Sequence, residues 1–232
     1  QRGCCPVGGN CYWGNNAVVS GTLVLRNTNI STNNTSYGVS TAYSQYSGGT
    51  IELQGNVTVN GVLSTEGYDG INGYSINKGH LKVTSGNNFV KKFRVYGGYN
   101  SGATGTISAG AGLKTDNLYA YNLFSNGQGW NIQCSMFVHG ALKLTGEYSP
   151  TNGCTVIYNG GYFGASSLKS YSSGDITYEG KIVWNSGAQV QINGTCRKAT
   201  SGGDVTVRGN DRITTNPVSG GSCSKADFIT KL

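Results

Sequence analysis

An all-β solenoid, a parallel β-helix-like stack of short glycine-bounded strands, is the fold this chain predicts, on three observations. Gly49, Gly55, Gly61, Gly67, Gly73 and Gly79 stand at strict six-residue intervals, and the stretches after the first three alternate apolar with polar residues, TIELQ, NVTVN and VLSTE. Period-two alternation gives a strand one apolar face, and glycine reaches the positive φ of a corner. The same unit recurs as GTLVLRN from Gly21, GHLKVTS from Gly79, GALKLT from Gly140, GDITYE from Gly174, GKIVWNS from Gly180, GAQVQIN from Gly187 and GDVTVR from Gly203. Pairs such as Leu23/Leu25, Ile51/Leu53, Val57/Val59, Leu81/Val83, Leu142/Leu144 and Val205/Val207 mark the buried face. One copy is too short to make a core, whereas stacked copies bury a continuous one. Composition is the third observation: with 12% charged residues, 38 Gly and 15 Tyr in 232 residues, the chain is rich in residues of sheets and turns. The alternative is an antiparallel β-sandwich, which short alternating strands also make. The hexad favours the solenoid, because hairpin strands run to about five or six residues before their turn.

Residues 1–20 read as a cysteine-rich N-terminal cap, with Pro6, Gly8 and Gly9 opposing regular structure. An open sheet end exposes unpaired N–H and C=O groups, so a covering segment is expected there. Residues 21–200 form the β-repeat domain, with irregular insertions expected at 27–48, 96–112 and 122–131. Residues 201–232 return to the repeat pattern and end in a capping or strand-exchange segment. Its apolar Phe228, Ile229 and Leu232 are candidate assembly contacts.

Cys4, Cys5, Cys11, Cys134, Cys154, Cys196 and Cys223 are disulfide candidates, and their use implies a secreted or cell-surface protein. Adjacent Cys4 and Cys5 are expected to reach different partners, and the odd count leaves one thiol free or bonded to a neighbouring subunit. The pairing does not follow from spacing. No signal peptide precedes Gln1, which fits a mature form or another export route. The sequence has no apolar run of the roughly eighteen residues that a spanning helix needs, so no membrane span is expected. Sequons at Asn29, Asn33, Asn34, Asn56 and Asn193 add slight support for an extracellular home.

Catalysis and cofactors are not expected. Asp175 and Glu179 would stand about 13 Å apart on one strand, wider than the roughly 5–9.5 Å of a glycosidase pair. Glu66 and Asp69 suggest either a calcium ligand pair or an Asp-Gly turn, the turn being preferred. Without a Cys-x-x-Cys pair, and with His80 and His139 in separate segments, a zinc site has little support. No nucleophile elbow occurs.

Net charge is +7, and its densest run is Lys91, Lys92 and Arg94 among Phe93, Tyr96 and Tyr99. Basic residues interleaved with aromatics suit single-stranded nucleic acid. A strand with Phe93 and Val95 inward and Lys92 and Arg94 in water explains the run equally, so nucleic acid is not the expected partner. Acidic cell-surface glycans fit the charge more simply. Tyr158, Tyr162, Phe163 and Tyr171 are possible glycan contacts, since aromatic plates serve sugars and core packing alike.

The ladder GGTIELQGNVTVNGVLSTEG resembles, over residues 49–86, bacterial surface proteins of the β-helical type such as autotransporter passengers and filamentous-haemagglutinin-like adhesins. That resemblance implies an extracellular solenoid used in attachment or assembly, with no catalytic residues to carry over. Seven cysteines depart from the family's habit of few. The expected function is therefore that of a structural protein, not an enzyme: a surface filament or fibre subunit or adhesin that self-associates through β-strand and disulfide contacts. The alternative is a carbohydrate-binding or carbohydrate-active β-helix such as a phage tail protein.

Overall fold

The computed structural model describes residues 10–13, 17–18, 22–32, 39–40, 50–64, 67–68, 75–76, 80–97, 104–122, 133–150, 153–170, 172–173 and 176–224. After Asn10–Trp13 the main strands fall alternately into two sheets. Sheet B holds Thr22–Arg26, Thr50–Gln54, His80–Val83, Thr104–Ile107, Gln133–Val138, Gly153–Ile157, Glu179–Trp184 and Gly203–Arg208 in that spatial order. Sheet A begins with Asn10–Trp13, then Asn29–Thr32, Thr58–Ser64, Asn87–Gly97, Gly112–Asn122, Ala141–Leu144, Tyr162–Ala165 and Gln189–Ile192. Down to Glu179–Trp184 and Gln189–Ile192 neighbouring strands in both sheets are parallel, which sets the sandwich alternative aside. The chain is a β-solenoid.

Register explains the core. In sheet B, Leu25, Leu53, Val83, Ile107, Val138, Ile157 and Trp184 stack one on the next and all face inward. Sheet A answers with Leu113, Leu142, Phe163 and Val190 in one row and Ile30, Val59 and Val90 in another. Each such side chain removed from water contributes about 1.5–3 kcal/mol, and no coil holds enough of them to stand alone.

The turn from sheet B into sheet A explains the glycines. Asn27, Gly55, Gly86, Gly110, Gly160 and Gly187 all have positive φ and lie at this corner of their coils, with the corner at His139–Gly140 the exception. A Cβ at Gly86 would run into the Gly55 carbonyl, and one at Gly187 into the Asn159 amide, so close stacking requires glycine as much as φ does. The six-residue ladder is therefore not the structural repeat: Thr22, Thr50, His80 and Thr104 are the equivalent positions. Gly61 lies inside the strand Thr58–Ser64, where the pairing slips between Val90 and Lys92, the position of a β-bulge. Gly49, Gly73 and Gly79 lie outside the described residues.

Three stretches expected to be irregular contain strands. Within the expected irregular cap, Asn10–Trp13 pairs with Asn29–Thr32 as the end strand of sheet A, because the alternating edge of a solenoid is most simply covered by another strand. The supposed insertion 27–48 contains Asn29–Thr32 and Val39–Ser40, and 96–112 contains Thr104–Ile107. Residues 123–131 fall outside the description. At the C-terminal end direction reverses. Gly203–Arg208 runs antiparallel to Glu179–Trp184, and Thr195–Ala199 turns back on Gln189–Ile192 through Asn193 at φ 49° and Gly194 at φ 80°. Two consecutive positive φ values make the tight hairpin loop that Asn-Gly favours. Gly220–Ser222 then adds to Thr195–Ala199.

Candidate functional site

Inward positions are filled by the core, so any binding surface lies on the outward rows. On sheet B the outward row of the first coils is polar apart from Val24, which is 43% exposed. Arg26 Nε donates to Gln54 Oε1 at 2.8 Å, Gln54 Nε2 donates to Glu52 Oε1 at 2.7 Å, and Thr84 Oγ1 donates to the same oxygen at 3.0 Å. The Gln54 amide, then Thr84 and the Lys82 and Arg26 charges, hold the Glu52 carboxyl below its ordinary value against a smaller opposing effect of burial.

Further down the same face the chemistry changes. Phe137, Val156 and Val183 follow one another in register at outward, half-buried positions. Beside them the exposed His139 ring stacks on Tyr158 with centroids 3.9 Å apart and planes 13° apart. Beyond this patch Lys181 meets Asp204 at 3.4 Å and Arg208 meets Glu179 at 3.0 Å.

Sheet A carries a different stripe. Phe89, Lys114, Lys143 and Gly164 are in register on successive strands, all outward; Phe89 and both lysines are half-buried. The Tyr162 ring lies over Gly164, where a Cβ would strike it, and its hydroxyl donates to Gln191 Oε1. Burial pushes that phenol up to about 12. Asp116, two residues along from Lys114, accepts a 3.1 Å hydrogen bond from Thr145. Glu147 holds Arg212 at 2.8 Å.

Of the residues expected to touch glycan, Phe163 is 0% and Tyr162 1% exposed. A ring packed in the core or flat under a cap offers no plate to a sugar, so both leave the candidate set. Tyr158 is half-buried and stacks on His139, a neighbour that spacing along the chain does not reveal. Tyr171 and the tail residues Phe228, Ile229 and Leu232 lie outside the description. Cys196 and Cys223 form a disulfide across the reversed end, with Cα atoms 5.4 Å apart. Cys154 is disulfide-bonded too, and its in-register neighbour on the adjoining strand is Cys134. Cys4 and Cys5 lie outside the description, as does the Cys11 side chain. Phe93 is buried, in keeping with a solvated strand face for the basic run, and Glu179 of the suspected carboxylate pair is engaged by Arg208.

Among the described residues no helix is long and apolar enough to cross a membrane, and no three His, Cys, Asp or Glu side chains gather where they could hold a metal ion. Comparison with family models, curated proteins and solved structures finds no match.

Proposed function

We propose that this chain is an extracellular structural protein, a surface fibre subunit or adhesive module that works through its stacked coils and their outer faces. The observation that carries this is a β-solenoid closed covalently, with Cys196–Cys223 pinning the strands that end the stack. Disulfides persist in oxidising compartments, and a stack of polar coils supplies long, regular faces and strand edges for contact. The reversed strands close the C-terminal end with charged Asp204, Arg208 and Arg197, which oppose end-on pairing there. Association therefore runs through the N-terminal edge, the flanks or the remaining cysteines.

Non-reducing against reducing gels, read with negative-stain images of the purified protein, test this. Elongated assemblies or a reducible oligomer are expected. Single copies at every concentration, with no oligomer on the non-reducing gel, overturn the fibre reading. A second reading, carbohydrate binding, is favoured by the His139–Tyr158 stack, in which His139 is exposed and Tyr158 half-buried, with exposed Asn159 next in the chain.

A further inference from the structure

We propose that the outer face of sheet A, along Phe89, Lys114 and Lys143, is a binding stripe for an acidic polysaccharide. Lys114 and Lys143 occupy directly paired positions on adjacent parallel strands, so their backbones are about 4.8 Å apart. Like charges set opposite one another on a sheet destabilise it. Among the described residues Lys181, Arg208 and Arg212 each meet a carboxylate, whereas Lys114 and Lys143, like Lys82, Lys91, Lys169 and Lys198, form no ion pair; only Lys114 and Lys143 of these stand in register with one another. Asp116, the nearest acid along the strand, is turned to Thr145. Two half-buried lysines in register, with no carboxylate partner among the described residues, are matched by an anion from outside.

The shape of the stripe selects the anion. It runs across the strands, along the solenoid axis, and presents one side chain per coil, which suits a linear polymer with repeated acid groups. Phe89, in register with Lys114 and facing outward, adds an apolar surface for the C–H face of a sugar ring. The net charge of +7 draws such a polymer in. This inference rests on the extracellular, adhesive reading but requires no fibre. It is therefore tested on single copies, and its failure is separate from that of the gel and imaging experiment.

Immobilised polygalacturonate, neutral dextran and oligothymidylate are the probes for the full chain. Binding to polygalacturonate that weakens with salt, with none to dextran, is expected. The double variant Lys114→Gln/Lys143→Gln should bind about tenfold more weakly or worse, while Lys181→Gln on sheet B binds as the parent does. Lys143→Glu guards against a folding artefact: it sets opposite charges in register, so it should melt no lower than the parent yet lose binding. The proposal is overturned by unchanged binding in these sheet A variants, by equal retention on dextran, or by a parent that ignores polygalacturonate. Equal retention on oligothymidylate with the same lysine dependence also overturns it, giving the face to nucleic acid.

Discussion

The early coils and the C-terminal end solve the same problem, holding one rung against the next, by different means. Between residues 22 and 113 the rungs are joined at the corner by side-chain amides. Asn27 Oδ1 accepts from the Asn56 N–H at 2.8 Å, and Asn56 Oδ1 accepts from the Asn87 N–H at 3.1 Å. Asn88, 1% exposed, accepts from Val57 N–H at 3.0 Å and donates to the carbonyls of Ser85, Gly86 and Gly112. From residue 179 onward strand reversal, ion pairs and a disulfide take over most of this work, and the Asn216 amide donates to the Val190 and Thr195 carbonyls. A parallel stack can in principle continue at either end, so the amide corner is a joint that can be repeated. The reversed, stapled end is a stop.

The largest expected effect breaks the corner. Gly86→Ala combines a positive φ with a clash against Gly55, costing about 4 kcal/mol from backbone strain and overpacking together. In a stack whose rungs touch only their neighbours, amide hydrogen exchange should accelerate in the early coils and stay slow in the hairpin of Gln189–Ile192. Uniform acceleration along the chain would show the two regions to be one cooperative unit.

Next, Cys196→Ser/Cys223→Ser opens a loop of 27 residues in sequence separation, worth about 3.5 kcal/mol in the chain-entropy account. Thermal melting should fall, with protection lost first at Gly220–Ser222. Reduction of the parent should reproduce the shift only as far as Cys196–Cys223 dominates it, which separates this bridge from that of Cys154.

Asn88→Ala leaves the Val57 N–H without its partner in the interior, a loss of about 3 kcal/mol. By contrast Asn56→Ala, at an exposed position, should cost about 1 kcal/mol, because water replaces the missing oxygen. Denaturant melts of the two variants side by side would show whether burial or mere hydrogen-bond count sets the strength of the corner.

The last effect appears only in alkali. Tyr162 is protonated more firmly in the folded chain, at about 12, than in the unfolded one, at about 10. Its stabilisation is complete below the unfolded value and is lost as pH rises through the folded one. Stability should therefore decline between those limits, and Tyr162→Phe should flatten part of that decline. Tyr148, fully enclosed and raised by burial, supplies a further part, so some slope remains.

Much of this architecture was legible. Alternation in TIELQ, HLKV, ALKL and GDVTVR gave the strands and their buried faces, since a period of two is a local property of the side chains. The glycine ladder was legible only in part: Gly55 turns a corner, whereas Gly61 sits in a bulged strand, and the same residue type serves both. Phe163 and Tyr162 are adjacent aromatics of similar size, yet one enters the core and the other lies flat outside under the C-terminal cap. Nothing in their spacing separates a sugar plate from packing. The lysine pair had a faint signal in the shared Leu-Lys of GLKT and ALKL.

What the sequence by itself determined is local: which residues extend and which face of each strand is apolar. Tertiary structure alone decided strand direction, register and therefore neighbours. GDVTVR has the same alternation as the repeats above it, yet it runs backwards, because a two-residue period reads identically in either direction. Only the pairing of distant strands, fixed by which corners stack and which ends are stapled, sets Lys114 beside Lys143 and His139 against Tyr158.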